Sequence, residues 1–212
     1  MKSVVILISG RGSNMQALME ARLPARISAV ISNRPNAPGL AIAKRHGIET
    51  IAVDQQSYPD RRAFDDALAN TIEGYTPDVI ALAGFMHILD NDLVSRYQGK
   101  LLNVHPSLLP AFPGLFSHRR ALQEGVKIHG CTVHFVTPEM DRGPIVIQAA
   151  IPVLPGDTEE TLGARVLEQE HRIYPEAVRW FVEDRLKLSG NCVDISKAEP
   201  DGSVLYSPGL SS

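Results

Sequence analysis

Cysteine is scarce: the 212 residues hold two, Cys131 and Cys192, far apart and in no Cys-x-x-Cys pair. That excludes a disulfide framework and argues against a thiolate zinc site. Neither sign of charge is in excess, with 21 Lys and Arg against 24 Asp and Glu. A general nucleic-acid binder shows a basic excess or stripe. Here even the densest charged cluster, Asp60-Arg61-Arg62 with Asp65-Asp66, mixes the signs. No apolar run approaches the roughly 18 residues that read as a membrane span. The apolar run at residues 4–8 is too short for a signal-peptide core and lacks a small-residue cleavage site. Repeats, low-complexity tracts and domain-separating linkers are missing too. A chain of this length makes one full domain. The expectation is a cytoplasmic protein, monomer or homodimer, that meets small molecules and neither nucleic acid nor membrane.

What is present is alternation. Residues 4–8 read as a buried strand, followed by a Gly-rich turn and a helix over 14–22. Strands at 26–32, 49–53, 78–83 and 101–104 alternate with helices at 39–46, 61–73 and 91–97, and Gly47 and Gly74 stand at two helix ends. Such alternation predicts an α/β fold, a mainly parallel sheet with helices on both faces. Ligands then bind at the C-terminal ends of the strands. Two β-rich runs, 129–136 and 145–153, predict a mixed edge. Asp157-Thr158 opens a helical pattern read through Leu188, with Pro175 as a kink. The expected domain spans residues 1–188. Residues 189–212 form a tail in which Val204-Leu205-Tyr206 add one short strand.

Two segments carry chemistry. Ser9-Gly10-Arg11-Gly12-Ser13-Asn14 joins a strand to a helix, where backbone N–H groups and the helix dipole can hold an anion. Met15 stands where a dinucleotide fingerprint has its third glycine, and no Gly-Lys-Ser/Thr ending makes it a P-loop. A phosphate monoester site and a plain tight turn both fit. In the second segment, Asn103 and His105 lie two apart at a strand end and project to one side. An amide donor beside a histidine suits stabilisation of an oxyanion in acyl transfer; a capped strand end with a packed histidine is the alternative. Asp141, in a turn, can return a carboxylate to His105 and favour its charged form. No Gly-x-Ser-x-Gly elbow is present, so covalent catalysis is not favoured.

Together, Ser9 to Asn14, Leu82-Ala83-Gly84-Phe85-Met86, Asn103-x-His105-Pro106-Ser107-Leu108-Leu109-Pro110, Pro113-Gly114, His129-Gly130, Val133-His134-Phe135-Val136, Asp141-x-Gly143, Glu168-Gln169-Glu170-His171 and Tyr174-Pro175 resemble the phosphoribosylglycinamide formyltransferases. These are folate-dependent enzymes of purine biosynthesis. The resemblance implies a Rossmann-like formyltransferase fold and transfer of formyl from 10-formyltetrahydrofolate, a co-substrate, to glycinamide ribonucleotide without a metal. It implies Asn103, His105 and Asp141 as the catalytic trio. Gly12, Ser13 and Asn14 become the ribonucleotide phosphate loop, and Glu170 the acid that meets the glycinamide. The folate side falls on Arg61, Met86, His87, Ile88, Leu89, Asn103, Thr137, Pro138, Glu139, Met140 and Asp141, with His118 and His134 as supporting groups. One departure is Phe116, where the family often carries histidine. A formyl-folate hydrolase, a formyltransferase for another amine and a non-catalytic binding module are the rivals. The hydrolase would carry an extra N-terminal domain, and the related methionyl-tRNA enzyme a C-terminal one.

Overall fold

The computed structural model describes residues 1–197 and Ser207. The chain runs β1 (Lys2–Ile8), α1 (Ser13–Glu20), β2 (Ala25–Ser32), α2 (Pro38–Arg45), β3 (Thr50–Ala52), α3 (Arg61–Glu73), β4 (Val79–Leu82) and α4 (Asn91–Arg96). It continues through β5 (Leu101–His105), α5 (Ser117–Gln123), β6 (Ile128–Phe135), β7 (Ile145–Pro152), α6 (Glu159–Val182), β8 (Leu186–Ser189) and β9 (Cys192–Ile195).

The uninterrupted apolar run of β1 is explained by its place inside the main sheet, between β2 and β4 in the order β3-β2-β1-β4-β5-β6-β7. Val4, Ile6 and Ile8 join a core with Met15 and Leu18 of α1 and Val166, Tyr174 and Val178 of α6. Val5 and Leu7 join a second core with Phe64, Leu68 and Ile72 of α3 and Leu93 of α4. Both faces are therefore covered. The first five strands in chain order pair in parallel; β6 and β7 extend the sheet antiparallel, so the mixed edge is as expected. Tyr174 locks the long helix to the sheet, its hydroxyl lying 3.0 Å from the Leu82 carbonyl and 2.9 Å from that of Leu102.

The last helix is shorter than its pattern. It ends at Val182, not Leu188, because Asp184 takes a left-handed conformation (φ 56) and the Arg185 amide turns back to the Trp180 carbonyl at 2.9 Å. No glycine marks that stop, and an aspartate occupies the position that glycine usually takes. Residues 186–189 instead pair antiparallel with 192–195, a hairpin that spans the expected boundary after Leu188. The helix α5 escapes the sequence pattern because Phe116, left-handed at φ 59, precedes it with no capping side chain. The strand expected at Val204-Leu205-Tyr206 lies outside the described residues. No helix among the described residues is long and apolar enough to cross a membrane.

Candidate active site

Strand order reverses between β1 and β4, and such a switch point opens a crevice at the strand ends. Ser9 spans it. Its amide donates to the Gly84 carbonyl at 3.2 Å, while its hydroxyl accepts from the Met86 amide (2.7 Å) and donates to Asn33 Oδ1 (2.6 Å). On one side of the crevice Gly12 sits at φ 77, a conformation glycine adopts without a Cβ penalty, and leads into α1 with no side-chain cap. The first-turn amides of such a helix have no intrahelical partners and suit an anion. Asn14 is buried, and its Nδ2 donates to Glu170 Oε2 at 2.6 Å. Glu170 is thus an interior acid rather than a solvated helix charge. Burial raises its pKa, and the Asn14 hydrogen bond opposes that rise.

Across the crevice, β5 delivers Asn103 and His105. The antiparallel register sets His134 opposite Asn103 and Thr132 opposite His105. His105 Nε2 lies 3.1 Å from the Phe112 carbonyl, which only accepts, so this nitrogen carries the hydrogen. Its Nδ1 lies 3.5 Å from Asp141 Oδ2. Both nitrogens therefore face acceptors, the surroundings of an imidazolium. Asp141 adopts a left-handed backbone (φ 55) and also accepts from the Gly114 amide at 2.7 Å. Its loop is pinned two residues later: a Cβ on Gly143 would stand 1.7 Å from the Phe135 carbonyl oxygen. Asn103 Nδ2 meets His134 Nε2 at 3.2 Å. The structure thus brings together all three residues expected as a trio, with His134 behind them.

The other expected residues are distributed as follows. Arg61 donates to the Leu89 carbonyl at 2.7 Å, tying α3 to the segment 86–89. In that segment Met86 and Ile88 are 62% and 61% exposed, which rules out a simple core role, whereas Leu89 is buried. The His87 ring is also buried, with Nε2 2.7 Å from Asp65 Oδ1. Thr137, Pro138, Glu139 and Met140 lead up to Asp141, and Met140 is exposed. His118 is not in the trio's contacts; its Nδ1 meets His129 Nε2 at 3.1 Å. Phe116, in place of the family's histidine, is exposed, with the Arg119 guanidinium 5.0 Å from its ring.

Sequence reasoning missed Asp65. Fully buried, it accepts from the Asp90 amide at 3.1 Å as well as meeting His87. The available signal was its place beside Phe64 and four before Ala69 on the apolar side of α3. Clefts lie beside both ends of the site. One of about 330 Å³ is lined by Arg61, Arg62, Asp90, Asn91 and Asp92; another of about 480 Å³ is lined by Asp141, Arg142, Leu109, Pro110 and Cys192 among others. Among the described residues, no group of three or more His, Cys, Asp or Glu is arranged to hold a metal ion.

The chain as a whole is similar to known proteins. The family model described as formyl transferase matches residues 2–178. A phosphoribosylglycinamide formyltransferase of Escherichia coli is 46% identical over 94% of this chain and 97% of its own. That of Haemophilus influenzae is 43% identical over 90% and 92%. The crystal structure of glycinamide ribonucleotide transformylase 1 from Symbiobacterium toebii superposes with a TM-score of 0.89 at 50% identity, covering 92% of this chain and 94% of that one. The chain belongs to the formyl transferase family, among its phosphoribosylglycinamide formyltransferases.

Proposed function

We propose that this chain transfers the formyl group of 10-formyltetrahydrofolate to the primary amine of glycinamide ribonucleotide, within purine biosynthesis in the cytoplasm. The observation that carries this reading is the convergence of Asn103 and His105 on β5 with Asp141, whose Oδ2 lies 3.5 Å from His105 Nδ1. Attack of the neutral amine forms a C–N bond to the formyl carbon and turns its carbonyl oxygen into an oxyanion. Asn103 N–H and the His105 imidazolium meet that charge as it develops. Collapse breaks the bond to folate N10. The proton lost by the amine ends on N10, and the His105–Asp141 pair is placed to relay it. Holding both substrates in one crevice supplies the orientation.

The remaining roles follow the same crevice. Backbone amides of Gly12, Ser13 and Asn14, with the Ser13 hydroxyl, take the ribonucleotide phosphate, and Glu170 meets the glycinamide end. The exposed apolar Met86 and Ile88, with Leu89 and residues 137–141, suit the flat pterin. Arg61, beside the cleft of about 330 Å³, meets the glutamate tail. An absorbance assay for the tetrahydrofolate-type product tests the reading. Product is expected only when glycinamide ribonucleotide is present; equal product without it would assign hydrolysis instead.

A further inference from the structure

We propose that His134 is the positioning residue for Asn103: as a neutral imidazole with its hydrogen on Nδ1, it fixes which end of the Asn103 amide faces the reaction. His134 Nδ1 lies 2.9 Å from the Phe135 carbonyl oxygen, which can only accept, so Nδ1 carries a hydrogen. A neutral imidazole has one such hydrogen, leaving Nε2 a bare acceptor. Asn103 sits directly opposite on β5 and approaches that nitrogen at 3.2 Å. Only its NH2 group can donate there. The amide is therefore oriented with nitrogen on the His134 side, and the second hydrogen of that NH2 is left for the substrate oxygen.

The surroundings keep the ring in this state. His134 is 2% exposed, and burial holds its pKa below the ordinary imidazole value. His105 on β5 pushes in the same direction, while Asp141, whose Oδ1 is 3.8 Å from Nε2, opposes. A doubly protonated His134 would carry hydrogen on Nε2 as well. Asn103 would then have to present Oδ1, and the donor would be withdrawn from the oxyanion. The ring thus sets whether Asn103 is a donor at all.

The orientation stands on the structure, whereas its effect on turnover rests on the proposed formyl transfer. Two measurements separate them. In ¹⁵N-labelled protein at neutral pH, a long-range ¹H–¹⁵N correlation should show His134 with a protonated Nδ1 and an unprotonated Nε2. Hydrogen on Nε2 would overturn the proposal without any variant being made. His134→Leu should lower kcat about tenfold, the worth of one hydrogen bond, with both KM values within about twofold. Placed on Asn103→Ala, which itself should cost about a hundredfold or more, His134→Leu should add nothing. His134→Gln, which can offer an oxygen acceptor, should recover part of kcat. Additive losses, or a His134→Leu enzyme with normal kcat, would overturn the role of His134. Normal kcat in Asn103→Ala would overturn the catalytic reading instead.

Discussion

Asp141 is the residue on which two separate supports meet, since its carboxylate serves both the His105 ring and the Gly114 amide. Asp141→Asn keeps the size of the side chain and removes its charge. The amide oxygen can still accept from Gly114, so folding should be nearly intact. The imidazolium loses its counter-charge, and kcat should fall by about a hundredfold or more while both KM values change little. Steady-state kinetics beside a melting curve checks this; a lower melting point with unchanged kcat in the folded protein would make Asp141 a structural turn residue. Asp65 gives the contrasting case. Asp65→Asn would replace one of the two buried carboxylate oxygens, which meet His87 and the Asp90 amide separately, by an NH2 group. One of those contacts is then left without its acceptor, a loss of about 1–3 kcal/mol. Arg61, half exposed, should matter less, with Arg61→Ala costing about 1 kcal/mol or less in folate binding. Folate KM for the two variants should rank Asp65→Asn above Arg61→Ala, with the ribonucleotide KM unmoved; the reverse ranking would contradict the described loop anchoring. Asn103 and His105 could be read from sequence because strand alternation alone puts them on one side. The Phe112 carbonyl and Gly114 amide could not, since backbone partners carry no residue-type signal. Asp65 was hidden in a mixed charge cluster that reads as solvated surface.

Secondary-structure elements differ in how they announce themselves. The helix α3 occupies the expected 61–73, because Asp60 accepts from the Ala63 amide at its start and its apolar positions recur with helical spacing. The helix α5 has only seven residues and no cap, so no comparable signal exists. Tertiary contacts hold it, among them the part-buried pairing of His118 with His129 of β6. Burial lowers the pKa of His118 and pushes that of His129 down to about 4. In the unfolded chain a histidine titrates near about 6.5. Between those values the unfolded state binds the proton and the folded state does not, so stability rises with pH across that window. The contribution is complete above about pH 6.5 and declines as the pH falls towards about 4. For His129 the full swing amounts to about 3 kcal/mol. Urea titrations at pH 7.5 and pH 5 should show the difference, and His129→Gln should reduce it. An equal pH dependence in that variant would move the effect elsewhere.

The sheet as a whole divides the work. Its parallel half presents the loops after β1 and β4 at one rim, where the phosphate loop and residues 84–89 meet. Its antiparallel extension does something the parallel half cannot: β6 runs back past β5, and the loop following it returns Asp141 over the sheet face to His105. The alternating pattern of strands and helices made the parallel half legible in the sequence. The return of Asp141 was legible only as a possibility, because a turn sequence does not state its own direction. The hairpin of β8 and β9 was masked by the helical pattern through Leu188, and only the left-handed Asp184 explains where that pattern stops.

The hydrogen bond between Asn14 and Glu170 joins positions 156 residues apart. Local contacts form early and distant ones late, since closing a long loop costs entropy before it returns any contact energy. The phosphate loop can therefore be made early in synthesis yet acquire its acid only when α6, near the other end of the chain, docks. A nascent or truncated chain ending before residue 159 should have no partial activity to lose. The chain carries its own reporter for this step, because its single tryptophan, Trp180, lies on α6. On refolding from denaturant, formyl transfer should return with the same time constant as the slowest change in tryptophan fluorescence. Activity that returned measurably ahead of that signal would mean that the site is completed before its last helix arrives.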